Sequence, residues 1–206
     1  DRVLRLFRRD AGRFADDLNK QTLAGARLSS FMYIAPWWSS RLTVGEGRDE
    51  RDIQGSTPAR FETRQFQASW LNEFGTQVGT VMAGLETLRQ EVLSPTAFTQ
   101  TRRDTNSGFL AIKESWRGQR LEASVRRDED DQFGGRNTGT VSYGAAWPGV
   151  GYLVFTEGRG FRAPTFFDLG TFGSRPGNRF NIPNPALEPE TVNSIDLGIK
   201  VGGERL

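Results

Sequence analysis

Neither cysteine nor histidine occurs anywhere in the 206 residues. The usual zinc, haem and thiol chemistries therefore have no ligands here. The missing histidine also removes the commonest general base, and a Ser-His-Asp hydrolase with it. Charge of one sign is lacking too: 27 Lys and Arg stand against 25 Asp and Glu, for a net +2. These charges are spread along the chain, so there is no clustered basic excess of the kind that binds nucleic acid. No apolar run approaches the roughly 18 residues of a transmembrane helix. The opening Asp1-Arg2-Val3-Leu4-Arg5 is charged, unlike a secretory leader. Taken alone, the composition is that of a polar, soluble chain.

The order of the residues says otherwise. Apolar side chains take every second place in Phe66-Gln67-Ala68-Ser69-Trp70, in Leu121-Glu122-Ala123-Ser124-Val125-Arg126 and in Val141-Ser142-Tyr143. Ile195, Leu197, Ile199 and Val201 alternate with Ser194, Asp196, Gly198 and Lys200 in the same way. A period of two puts each set on one face of a strand. The phase is mixed in 23–34 and 109–116, whose faces stay unassigned. Helical stripes are sustained nowhere, and the fold class is all-β. Breakers divide the chain into about ten strands, near 2–9, 21–34, 37–51, 59–72, 76–91, 105–117, 119–129, 136–147, 150–159 and 190–201. Most exceed ten residues, whereas globular strands have about 5–6 and a bilayer needs roughly 9–11.

Connections alternate in kind. Short ones are expected at Ala35-Pro36, Asn72-Glu73-Phe74-Gly75, Gly118 and Pro148-Gly149. Longer ones are expected at 10–20, 52–58, 92–104, 130–135 and 160–189. Trp37, Trp38, Trp70, Trp116 and Trp147 all fall near the short turns, while dense charge clusters such as Arg48-Asp49-Glu50-Arg51-Asp52 fall at the other ends. Tryptophan favours the membrane–water interface, where its ring is apolar and its N–H finds a polar partner. The pattern predicts a transmembrane antiparallel up-and-down β-barrel. A soluble meander, with tryptophans capping a core and charges solvating hairpin tips, is the alternative.

A more specific signal follows the ninth strand. Gly158-Arg159-Gly160-Phe161-Arg162-Ala163-Pro164-Thr165 is succeeded by Asn184-Pro185-Ala186-Leu187-Glu188-Pro189-Glu190 and then Ser194-Ile195-Asp196-Leu197-Gly198. Together these segments resemble the barrel of TonB-dependent outer-membrane receptors, with Asp196 where that family usually has Glu. Thr105-Asn106-Ser107-Gly108-Phe109 and Arg126-Arg127-Asp128 with Asp131-Gln132-Phe133-Gly134 are most similar to the vitamin B12 (cobalamin) receptor branch. In purely physical terms the signature is structural. Gly158 and Gly160 let the chain leave the sheet, Pro164 removes a ladder donor, and Pro185 and Pro189 keep the return segment extended. Gly160, Phe161, Arg162, Ala163, Pro164, Asn184, Pro185, Leu187, Pro189 and Glu190 are therefore expected to shape a long loop and restart a strand.

The resemblance implies a plug, a barrel of about twenty-two strands and an energy-coupling partner of the TonB type acting on that plug. Residues 1–206 are thus expected to be a piece of the barrel, about ten strands of the larger plugged structure, with plug and final strands outside it. The implied function is uptake of a scarce large nutrient across the outer membrane, cobalamin first and an iron–siderophore complex second, without enzymatic chemistry. A passive or structural barrel is the rival class. Cobalamin receptors use calcium in early barrel loops, which makes Asp10, Asp16 and Asp17 candidate ligands, with solvated loop charge as the alternative. Arg48, Arg51, Arg102, Arg103, Arg126 and Arg127 are expected to meet membrane lipid and the phosphates of lipopolysaccharide.

Overall fold

The computed structural model of the chain describes residues 2–10, 13–54, 59–94, 98, 100–147, 149, 151–169, 173–175, 179–181 and 184–201. Residues 2–10, 13–19, 59, 167, 173–175 and 179–181 are described by their backbone alone. Ten long strands form one antiparallel sheet: β1 (Arg2–Asp10), β2 (Arg13–Ala35), β3 (Trp38–Gln54), β4 (Ala59–Gly75), β5 (Gly79–Leu93), β6 (Arg102–Trp116), β7 (Gln119–Asp130), β8 (Gly134–Trp147), β9 (Gly151–Arg162) and β12 (Glu190–Lys200). Each strand pairs with the next in sequence, so the order is up-and-down, and the sheet is open between β1 and β12. The connection from β9 to β12 holds one helical turn, α1 (Phe166–Leu169), and a small hairpin of β10 (Gly173–Arg175) and β11 (Arg179–Asn181).

Paired residues share a face, and the register sorts the chain into two surfaces. One carries rows such as Trp38–Phe74–Val81–Ile112–Ala123–Val141 and Tyr143–Phe155–Leu197. The other carries rows such as Thr43–Ser69–Glu86–Ser107–Asp128–Arg136. The phase of 109–116, unreadable in the sequence, is now settled: Leu110 and Ile112 join the apolar face, Phe109, Ala111 and Lys113 the polar one. Leu42, Leu85, Leu110, Val125, Val141 and Ile195 all stand exposed on the apolar face. Among the described residues the buried apolar side chains are Val92, Phe166 and Leu169. A soluble meander would cover such a face with a second layer; among the described residues there is none. A single sheet, apolar on one face and polar on the other, is the wall of a membrane barrel.

Several boundaries differ from the expectation. The segment 10–20 is not a long loop, because Arg13–Gln21 pairs residue for residue with Arg2–Asp10. Its polarity hid the strand, since a hairpin standing beyond the apolar band shows no apolar alternation. Asn72–Gly75 is strand rather than turn; Phe74 pairs with both Trp38 and Val81, and the chain reverses at 76–78. There the Thr76 hydroxyl accepts from the amides of Val78 at 3.3 Å and Gly79 at 2.9 Å. Between β6 and β7 the reversal takes two residues, Arg117 at φ 46° and Gly118 at φ 78°, which is the backbone of a type I′ hairpin. The reversals at 36–37, 76–78 and 117–118, with the step from β8 to β9, mark one pole. The steps from β1 to β2, β3 to β4, β5 to β6, β7 to β8 and β9 to β12 mark the other.

Candidate functional site

The polar face concentrates its chemistry on β5, β6 and β7 toward the pole of the longer connections. Glu86, Ser107 and Asp128 lie in one cross-strand row, with Arg126 diagonally beside them. Arg126 donates to Glu86 at 2.6 Å and to Asp128 at 2.8 Å, and the Ser107 hydroxyl donates to the same Asp128 carboxylate at 2.5 Å. Asp128 is only 6% exposed, and Arg126 and Ser107 supply its carboxylate with hydrogen-bond donors. The Arg126 guanidinium also stands 5.9 Å from the centre of the Phe109 ring. One row further on, Thr105 donates to Asp130 at 2.8 Å, and Asp130 caps the β7–β8 turn by accepting from the amides of Gln132 and Phe133. Phe161 and Ala163, from the end of β9, line the same hollow as Arg103, Arg126 and Asp130. The result is a wall of hydroxyls, fixed carboxylates and paired guanidinium groups that can contact a large polar solute at many points.

Arg103 closes the top of this wall. It is 5% exposed, donates to Gln132 Oε1 at 2.8 Å and to the Pro164 carbonyl at 2.8 Å, and lies over the rings of Phe133 and Phe166. Through Pro164 it reaches the signature segment. There Thr165 and Asp168 cap α1 reciprocally: the Thr165 amide donates to Asp168 Oδ2 at 2.8 Å and the Asp168 amide to Thr165 Oγ1 at 3.2 Å. The donated Thr165 amide holds the Asp168 carboxyl below the usual carboxylate range, with the Thr165 side chain adding to it. The two halves of the signature meet at this base. Glu190 pairs with Arg162 and Val192 with Gly160, while Arg162, Ala163, Pro164, Asp168, Leu187 and Glu190 surround a small hollow. Asn184 donates to the Leu169 carbonyl at 2.8 Å and its side chain accepts from the Ala186 amide, turning the chain before Pro185. Pro189 follows, immediately before β12.

The arginines expected to act together divide between the faces. Arg51, Arg103 and Arg126 fall on the polar face, while Arg48, Arg102 and Arg127 stand on the apolar side, above its hydrophobic rows. Strand alternation is the reason, because 102 and 103, like 126 and 127, are sequence neighbours. On the apolar side the charges form a belt. Arg48 bridges Glu50 and Glu62, Arg64 meets Glu62, Arg89 and Arg102 share Asp104, and Arg127 meets Glu129.

The candidate calcium ligands sit on the first hairpin. Asp10 ends β1 opposite Arg13, and Asp16 and Asp17 take successive positions of β2 opposite Phe7 and Leu6. Their side chains lie outside the described residues. Among the described residues no group of three or more metal-binding side chains occurs.

Glu86 and Ser107 carried no signal in the sequence, since their roles depend on the phase of β6. The Thr165–Asp168 cap was legible as a Thr-x-x-Asp spacing but was not singled out.

Set against known proteins, residues 5–206 match the family model described as TonB dependent receptor-like, beta-barrel. The vitamin B12 transporter BtuB of Vibrio vulnificus (strain YJ016) is 33% identical over 147 residues, covering 69% of this chain and 22% of that protein. Its namesake in Photobacterium profundum is 27% identical over 166 residues, or 78% of this chain and 26% of that protein. The Vibrio cholerae serotype O1 (strain ATCC 39541) protein of the same name is 24% identical over 144 residues, or 68% and 22%. The chain thus spans about a quarter of the length of the curated relatives it matches.

Proposed function

The chain belongs to the β-barrel of the TonB-dependent receptors, a family of the Gram-negative outer membrane, and from that premise we propose that it forms part of the wall of an uptake receptor for cobalamin. Similarity to vitamin B12 transporters over more than two thirds of the chain carries this reading. The polar face supports it. A large, hydrogen-bonding nutrient needs many weak, well-placed polar contacts around a lumen, and the rows through Glu86, Ser107, Arg126 and Asp128 offer them.

In this reading the plug belongs to the remainder of the receptor, and a TonB-type partner supplies energy by acting on it. The wall binds and releases and makes or breaks no covalent bond. Asp10 and Asp17, which share one face of the first hairpin by register while Asp16 falls on the other, bind calcium there and order it against the ligand. Arg48, Arg102 and Arg127 meet lipopolysaccharide phosphates from the lipid side.

The test is binding by the complete receptor that carries this segment, purified in detergent. A corrinoid is expected to bind, and more tightly in millimolar calcium, with the calcium effect lost in Asp10→Ala/Asp17→Ala. Tight binding of a ferric siderophore without any corrinoid binding would overturn the cobalamin assignment. A folded barrel that conducts small ions freely and binds neither ligand would make the wall that of a passive channel.

A further inference from the structure

On the apolar face the cross-strand row Leu42–Trp70–Leu85–Gly108–Arg127–Asn137 loses its side chain once, at Gly108. The gap floors a hollow of about 810 Å³ walled by Trp70, Leu85, Leu110 and Val125. Packing within the chain does not demand it. A Cβ at Gly108 would meet only Leu85 Cδ2, at 3.6 Å, which is an ordinary contact. Gly84, on the polar face, is different: a side chain there would collide with the Phe109 ring. Gly108 therefore marks space that the sheet leaves open on its lipid side.

The hollow has a direction. Toward the tryptophan pole it is continuous with Leu110 and Ile112 on β6 and with Val125 and Ala123 on β7. Toward the other pole the same positions become Asn106, Asp104 and Glu129. Gly108 lies eight residues from Trp116 at the end of β6, about 26 Å along the strand at roughly 3.3 Å per residue. With barrel strands tilted about 40°, that is a height of about 20 Å in an apolar band about 25 Å tall, which places Gly108 near its outer border.

Arg127 stands at this border and lines the same hollow. It donates to Glu129 at 2.7 Å and to Asn137 at 3.2 Å. Arg127 and Glu129 are both more than half exposed, so their pairing is weak and a phosphate can replace the carboxylate.

We propose that this hollow seats one acyl chain of a phosphorylated glycolipid of the outer leaflet, with its phosphate on Arg127. The proposal rests on the lipid-facing reading of Arg48, Arg102 and Arg127 above and deepens it. Trp70, Leu85, Leu110 and Val125 grip the chain, Gly108 lets it approach the backbone, and the planar guanidinium fixes the phosphate at the top of the apolar band.

The experiment uses the complete barrel in phosphatidylcholine nanodiscs. Native mass spectrometry follows binding of diphosphoryl lipid A, its dephosphorylated form and phosphatidylglycerol. One lipid A is expected to bind. Gly108→Leu and Arg127→Gln are each expected to weaken it about tenfold, while Gly108→Ala stays near wild type. Dephosphorylated lipid A should respond to Gly108→Leu and ignore Arg127→Gln. If Gly108→Leu does not fold, Leu85→Trp fills the same hollow from the neighbouring strand. Lipid A binding that survives the filled hollow but falls in Arg48→Gln/Arg102→Gln would overturn the seat and leave the lipid-facing reading standing. Phosphatidylglycerol binding as tightly as lipid A would overturn the choice of lipid. A folded wild-type barrel that binds no lipid A would overturn both.

Discussion

Arg103 donates to the carbonyl oxygen of Pro164 at 2.8 Å across 61 residues of sequence, tying the start of β6 to the segment that leaves β9. The bond is charge-assisted and buried, a type that contributes about 1.5–3 kcal/mol. Gln132, Phe133 and Phe166 complete the grip on the guanidinium, so one side chain of β6 joins two connections at the same pole.

Removing that grip should free the base of the long connection while leaving the sheet intact. In the complete barrel, Arg103→Ala is expected to speed amide hydrogen exchange at Leu169 and Asn184 by tenfold or more, with β5–β7 unchanged. Arg103→Lys should not restore protection, because an ammonium group cannot donate to Gln132 and Pro164 and also lie flat on two rings. Unchanged exchange in Arg103→Ala would mean that the loop is held by other contacts.

Asp168 gives the same region a pH dependence of definite sign. Its carboxyl is held below the usual range by the Thr165 amide. A group depressed in the folded state contributes fully above its unfolded value, about 3.9, and the contribution is lost as pH falls through the lowered native value. Carbon-13 titration of Asp168 should show a midpoint below that of a free aspartate, and Thr165→Val should move it part of the way back. A midpoint at or above the ordinary value would contradict the cap.

The tryptophans test depth. Trp116 and Trp147 end β6 and β8, whereas Trp70 lies five residues before the end of β4, with its ring N–H on Ser40 at 2.9 Å. Five residues amount to about 16 Å along a strand. In the reconstituted barrel with other tryptophans replaced, lipids brominated near the headgroup should quench Trp116 and Trp147 most strongly. Trp70 should respond to deeper labels. Equal depth for all three would mean that β4 turns near Asn72 after all.

That difference shows what the sequence carried and what it did not. All ten sheet strands and their order were legible, because apolar alternation acts locally. Strand ends were less so. Gly158 and Gly160, expected to let the chain leave the sheet, instead stay in the ladder opposite Ser194 and Val192 without a positive φ, and the chain leaves only after Arg162. Arg13–Lys20 reads as loop because its residues stand where no lipid selects apolar side chains, and only pairing with β1 reveals the strand. The site on the polar wall was the least legible. Arg126 looked like a partner of Arg127 in one basic cluster, yet alternation sends the first to Glu86 and Asp128 and the second to Glu129 on the opposite face. Until the phase of β6 was known, Ser107 and Glu86 could not be assigned to either.

The assignment of the two faces is the claim on which the receptor reading, the lipid seat and the polar wall all depend. Its most direct measurement is spin-label accessibility in the complete barrel reconstituted in lipid. These 206 residues hold no cysteine, so, with any cysteine elsewhere in the complete barrel replaced, single cysteines can be placed in turn at 109, 110, 124, 125, 142 and 143. Labels at 110, 125 and 143 should be relaxed by oxygen dissolved in the bilayer, and those at 109, 124 and 142 by a water-soluble nickel complex, alternating residue by residue. Uniform accessibility to the nickel complex at all six positions, or the opposite phase, would contradict the account.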